Sequence, residues 1–336
     1  MHPAYFALVM ATGIVSIACL LTGMNLLARA LFFLNVPFYV AIWCLTILRC
    51  LRFPAQVLAD LRHHGRSVGF FTAVAATCVL GTQFLLIGRL WSVAVALWCL
   101  GIVLLTICTY GIIFLLTVKQ EKPSLAEGIN GGWLLPVVGG QSVAVLGAQL
   151  ASGFAVARQP NVLLFCLAIW LGAGMLYLWI ISLIFYRYTF FTLQPSDLAP
   201  PYWINMGAVA ISTLAGTMLI SAAPHSPLLT DLAPFIKGIT LLFWSTATWW
   251  IPMLIILGVW RHVYRRFPLR YDPLYWGAVF PLGMYTACTY RLTQVMPADL
   301  LSWIPPVFVY IALAAWTLTL LGLIHQLMLR RPTTKA

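Results

Sequence analysis

The sequence predicts an all-α membrane protein: ten transmembrane helices, paired as five helical hairpins in a quasi-fivefold arrangement around a central pore. Three observations carry this: a composition too apolar for water, a unit that recurs five times, and a division of residue types within each unit. Of 336 residues, 62% are apolar and 8% charged, with mean hydropathy +0.96. A soluble chain carries about 25% charged residues. The apolar residues fall in runs of about 20 or more, enough at 1.5 Å per residue to cross a hydrocarbon layer of roughly 30 Å.

The repeat opens each time on one or two bulky aromatics, followed by an apolar stretch rich in small residues and then a bulkier run. Such spacing marks one structural unit copied along the chain. Tyr5-Phe6 opens the first hairpin (3–51), with Thr12, Gly13 and Ser16 in span 3–22 and a second span at 27–51. Phe70-Phe71 opens the next (68–119), with Ala75, Ala76 and Thr77 in 68–87, followed by 91–119. Trp133 opens the third (131–187), where Gly139, Gly140, Gln141 and Ser142 lie in 131–150, before 161–187. Tyr202-Trp203 begins the fourth (201–262), with Gly207, Ala208, Ser212 and Thr213 in 201–222, then 233–262. Tyr275-Trp276 begins the fifth (273–328), with Gly277 and Gly283 in 273–292, then 301–328. No linker or low-complexity tract divides 1–336, which reads as a single membrane domain. The first span has no basic region before it and no cleavage site after it, so it reads as retained.

Basic residues are distributed unevenly. Arg49, Arg52, Arg62, Arg66, Lys119, Lys122, Arg187, Arg261, Arg265, Arg266, Arg270, Arg330, Arg331 and Lys335 follow the even spans. Only Arg29, Arg89, Arg158, Lys237 and Arg291 fall on the other side. Fourteen against five places both termini in the cytoplasm. The five sparse cations, one near each turn, either mark the membrane boundary by snorkelling or ring an outer mouth that concentrates anions.

Eleven of the fourteen tryptophans lie in even spans, while small residues crowd the odd ones. Helices packed among helices need small contacts, whereas lipid-facing helices carry bulk. The odd spans therefore form an inner ring around a hole lined by small and hydroxyl side chains, with Thr12, Gly13, Gly140, Gln141 and Gly283 as candidates. A solid close-packed bundle would show the same bias. Pro136 and Pro281 are expected to kink two inner helices.

None of the seven acidic residues is mid-span, and no buried Arg or Lys is expected to hold an anion tightly. That leaves a weakly polar conduit of hydroxyls, Gln83, Gln141 and Asn205, suited to an ion that passes without sticking. His63-His64 is the one histidine pair, and the eight cysteines fall within apolar runs without a C-x-x-C pair. No metal site, cofactor, nucleotide loop or hydrolase elbow is expected. The +12 charge reads as topology and anion attraction rather than nucleic-acid binding.

Val279-Phe280-Pro281-Leu282-Gly283-Met284-Tyr285-Thr286 resembles the ninth-helix signature of the tellurite-resistance/dicarboxylate transporter family. That family includes slow-type plant anion channels, TehA proteins, malate permeases and sulfite efflux pumps. Val9 to Ser16 resembles its first helix, where Gly more often stands in place of Ala11, and Pro200 to Gly207 resembles its seventh-helix start. The resemblance implies a homotrimer with one pore per subunit, gated by a ninth-helix phenylalanine that Phe280 matches. Aligning the aromatic starts puts Met10, Ala75, Val137 and Gly207 at the gate's level. Read without the family, Phe280 is core packing beside a kink. The expectation is passage of small anions across a bacterial inner membrane. A proton-coupled C4-dicarboxylate carrier, a sulfite or tellurite exporter and, remotely, a membrane-embedded enzyme are the alternatives.

Overall fold

Backbone N–H and C=O groups have no partners in lipid, so runs this apolar satisfy them internally as helices. The computed structural model describes residues 2–269 and 271–329; Arg270, Arg330, Arg331 and Lys335 lie outside it. Among the described residues there is no strand, and ten α-helices reach 15 residues or more. They are Ala7–Leu21 (α1), Asn25–Arg52 (α2), Phe71–Leu86 (α3), Trp91–Thr117 (α4), Leu135–Leu150 (α5), Gln159–Phe190 (α6), Ile204–Ala222 (α7), Pro227–Val259 (α8), Trp276–Val295 (α9) and Ile304–Leu329 (α10). Gly23, at φ +85°, ends α1 in the left-handed conformation and turns the chain back into α2.

Nine helical segments among the described residues are long and apolar enough to cross a membrane. The segment containing α9 is not one of them, because Tyr285, Thr286, Thr289, Tyr290, Arg291, Thr293 and Gln294 make its second half polar. The segments containing α1, α3, α5 and α7 bury 83–89% of their apolar window, those containing α2, α4, α6, α8 and α10 only 17–39%. Most of α9 is buried as well. Small-residue helices are therefore inside and tryptophan-rich helices outside.

Each odd helix packs against the even helix that follows it, and the odd helices touch in a closed circuit: α1, α3, α5, α7, α9 and back to α1. Side-chain hydrogen bonds fasten each even helix to the odd helix of the next pair. Trp98 Nε1 on α4 donates to the Val143 carbonyl of α5 at 3.0 Å, and Trp170 Nε1 on α6 to the Ser212 carbonyl of α7 at 2.8 Å. Trp244 Nε1 on α8 donates to Thr289 of α9 at 3.0 Å, and Trp316 Nε1 on α10 to Thr12 of α1 at 2.9 Å. Between α2 and α3 the link is Tyr39 to Thr77 at 2.9 Å, joined by Asn35 donating to Gln83 at 2.7 Å.

Small residues make room for these links. A Cβ on Gly216 would run into Thr240 and the Trp170 ring, and one on Gly147 into Trp98. Of the two prolines expected to kink inner helices, Pro281 does lie inside α9. Pro136 lies in the first turn of α5, where the missing N–H would have had no helical partner, so it interrupts nothing.

Trp170→Phe, which deletes the donor to α7, is expected to cost about 1 kcal/mol. Trp249→Phe, at an exposed position of α8, should leave stability unchanged. Gly216→Leu should destabilise more than either, by overpacking at about 1–3 kcal/mol or more. Thermal unfolding of the detergent-purified protein ranks the three.

Candidate functional site

An aromatic residue that opens each repeat lies in a short 3-10 turn, Pro3–Phe6, Val68–Phe70, Gly131–Leu134, Pro200–Trp203 or Pro273–Tyr275, while Phe71 and Trp276 begin α3 and α9. Each turn leads directly into an odd helix, and the turns touch one another in the same cyclic order as the helices. Gly131 is needed at this contact, because a Cβ there would collide with the backbone of Pro201 and Tyr202. Side chains cap three of the turns: His2 Nδ1 accepts from Ala4 N–H, Asn130 Oδ1 from Gly132 N–H and Asp272 Oδ1 from Leu274 N–H.

A vestibule of about 490 Å³ opens here, lined by residues of all five turns, including Ala4, Gly69, Gly132, Pro201 and Leu274. All five odd helices thus direct their N-termini at one space. Each end carries about half a positive charge, which attracts anions, while the Glu127 and Asp197 carboxylates and the Arg187 guanidinium also line the wall. His2 lies on its wall; burial, reinforced by the nearby Arg66 guanidinium, holds its imidazole below the usual range.

Two features stiffen the rim. Asp60 pairs with both Arg49 and Arg66. The buried Arg187 donates to the carbonyls of Ala126 and Thr192 and to Asp197 at 3.0 Å. Arg261 is buried too, with its guanidinium 4.5 Å from the Phe267 ring centroid and no acidic partner among the described residues. No buried Arg or Lys is expected to hold an anion tightly, and Arg187 is spent on carbonyls and Asp197. Both arginines lie where their helices end, outside the most apolar stretch, where charge is tolerated.

Toward the other ends of the odd helices lies a second, smaller cavity, of about 20 Å³. That is room for roughly one water. Its wall takes a stripe from every odd helix: Ile14, Ile17 and Leu21 of α1; Cys78, Thr82 and Leu86 of α3; Ser142, Val145 and Gln149 of α5; Ile211 and Leu214 of α7; Met284, Ala287 and Arg291 of α9. The spacing of three, four and seven residues is that of one helix face.

Extending these stripes one turn back toward the vestibule reaches Met10, Ala75, Val138, Gly207 and Phe280. All five are buried, and Phe280 is 0% exposed. Along the chain Phe280 falls between Leu274, which lines the vestibule, and Met284, which lines the small cavity.

Several residues expected to line a pore face elsewhere. The Thr12 hydroxyl receives the Trp316 indole, and Gln141 donates to the Trp170 carbonyl of α6 at 3.1 Å. Val137, one turn before Gln141, shares that outward face, and Val138 takes its place on the inner stripe. A Cβ on Gly13 would meet Val79, on Gly140 Ala173, and on Gly283 Ile14 and Val15; Gly207 stays on the inner stripe, where a Cβ would meet the Pro281 ring beside Phe280. Their small size serves close helix contact. Gln83 and Asn205 likewise turn to the even helices, bonding Asn35 and Tyr188.

The five sparse cations also separate. Arg29, Arg89, Arg158 and Lys237 are exposed, whereas Arg291 is half-buried and lines the small cavity. The polar residues of that cavity are thus Thr82, Ser142, Gln149 and Arg291. Reading matching stripes along each odd helix would have found the first three; residue type alone did not.

Comparison with known proteins agrees with the resemblance carried by α9. The family model SLAC1, voltage-dependent anion channel, matches residues 1–324. Over 326 residues the chain is 29% identical to an uncharacterized transporter of Methanocaldococcus jannaschii, covering 95% of this chain and 91% of the relative. A sulfite efflux pump of Trichophyton rubrum is 24% identical over 340 residues, covering 94% and 88%. An uncharacterized membrane protein of Mycobacterium tuberculosis is 38% identical over 152 residues, 45% of this chain and 77% of the relative. The chain belongs to the SLAC1 family of membrane anion transporters.

Proposed function

We propose that the protein moves small anions across a bacterial inner membrane along the axis enclosed by α1, α3, α5, α7 and α9, with Phe280 as a movable plug. In this reading residues 1–336 act as one membrane domain of ten spans, five hairpins in quasi-fivefold order around the path. What supports it is a vestibule and a small cavity bounded by the same five helices or their leading turns, with the buried Phe280 falling between their lining positions along the chain. Met10, Ala75, Val138 and Gly207 surround the plug and are smaller or more flexible than it. One ring facing such neighbours swings aside without rebuilding the wall.

Electrostatics supports anions. Five helix N-termini bias the vestibule, and no carboxylate lines the small cavity. That absence speaks against a proton relay through buried carboxylates. Arg49, Arg52, Arg62, Arg66, Lys119, Lys122, Arg187, Arg261, Arg265 and Arg266 follow the even helices at the vestibule end, a bias that supports a cytoplasmic vestibule and cytoplasmic termini. Arg29, Arg89, Arg158 and Lys237 then surround the opposite mouth. As the family resemblance implies, the assembly is a homotrimer with one path per subunit. The reading needs no cofactor, metal or catalytic residue.

Sulfite export is a second reading, favoured by a sulfite efflux pump matching 94% of this chain. It uses the same axis and differs in cargo and direction.

Phe280→Ala should raise anion flux through reconstituted liposomes on the order of tenfold or more, the effect of lowering a barrier by about 1.4 kcal/mol. Unchanged flux would remove the gate. The geometry also orders thiol accessibility in a background whose eight cysteines are replaced. Ala287→Cys should react with a charged thiol reagent applied from the periplasmic side, and from the cytoplasmic side only once Phe280 is also Ala. Ser16→Cys, whose native hydroxyl donates to the Ala28 carbonyl of α2, should stay unreactive from both.

A further inference from the structure

The small axial cavity is walled mostly by Ile, Leu, Val and Met side chains, and its few polar groups are not equally available. Thr82 Oγ1 donates to the Cys78 carbonyl at 3.1 Å and Ser142 Oγ to the Val138 carbonyl at 2.7 Å. Both hydroxyl protons are therefore committed to the helix backbone and unavailable to an ion. Gln149 Nε2 donates one proton to the Met218 sulfur at 3.4 Å, and its buried Oε1 has no partner among the described residues. Arg291 has no ion pair and no hydrogen bond among the described residues. A half-buried guanidinium with nothing to satisfy it faces a space of about 20 Å³.

Resting on the transport reading above, we propose that Arg291, assisted by Gln149, forms a subsite for one small singly charged anion and excludes C4-dicarboxylates. Three physical points lead there. One guanidinium neutralises one charge, and no second cation lines the cavity. A second carboxylate would be forced against apolar walls without a partner, which is strongly unfavourable. The space takes a halide or a compact oxyanion on the scale of a water, not a four-carbon chain.

The low-dielectric wall strengthens the attraction, while half-exposure of the arginine keeps it weak enough for release. An ion that passes Phe280 thus meets its first unspent donors three turns further along the same face of α9. Sulfite, if it is cargo, travels here as singly charged hydrogen sulfite.

The test is flux through liposomes holding the purified full-length protein, with chloride, nitrate, hydrogen sulfite and succinate compared. The wild type should pass the singly charged anions and exclude succinate. Arg291→Gln should cut chloride flux about tenfold and erode discrimination against cations, the scale of losing one charged hydrogen-bond donor, while Arg291→Lys retains most of both.

Arg291→Cys in the cysteine-replaced background separates chemistry from folding. Treatment with a cationic thiol reagent should restore chloride flux, and an anionic reagent of similar size should abolish it. Wild-type flux in Arg291→Gln, equal responses to the two reagents, or succinate moving as fast as chloride in the wild type would each overturn the subsite. A wild-type protein that moves no anion at all would overturn the transport reading and the subsite with it.

Discussion

The arrangement depends on hydrogen bonds from the outer helices to the inner helix of the following pair. In lipid there is little hydrophobic gain from bringing two apolar helices together, so packing and polar contacts decide which faces meet. Indole N–H groups of Trp98, Trp170, Trp244 and Trp316, with the Tyr39 hydroxyl in the remaining pair, set each outer helix against one inner neighbour. Each donor is large enough to reach across and can form its bond only in one register. Glycines such as Gly147 and Gly216 hold the backbone back so that the ring fits.

These links also explain why the axis is so sparsely polar. The inner helices are rich in Thr, Ser, Asn and Gln, yet most of these groups are occupied. Thr12 and Gln141 face outer helices, Gln83 accepts from Asn35 of α2, and Thr82, Ser142, Ser212 and Thr213 donate to carbonyls one turn back. A helix that spends its hydroxyl protons on its own backbone presents mainly carbon inward. The proposed path therefore derives its preference for anions from helix ends at the vestibule and from one arginine near the other mouth, not from a continuous polar lining.

Much of this was readable beforehand. Tryptophan on one helix and small residues on the next correctly sorted outside from inside, because helix packing in lipid imposes that difference on composition. The aromatic openings marked real turns. Individual roles were less accessible. Thr12, Gly13, Gly140, Gln141 and Gly283 looked like lining because lining and tight packing both select small residues. Pro136 looked like a kink because its position relative to the helix start depends on where the preceding 3-10 turn ends.

Sequence by itself determined that this is a helical membrane protein, since apolar length is a property of the chain alone, and its repeat spacing is what suggests five copies of one unit. Only the tertiary structure decided which face of each inner helix looks toward the axis. That choice is made by contacts far apart in sequence, such as Trp316 with Thr12, and rotating a helix by a single residue, about 100°, exchanges one set of side chains for another. Arg291 shows the consequence: along the chain it is one of five similar cations, and in space it is the one that lines the axial cavity.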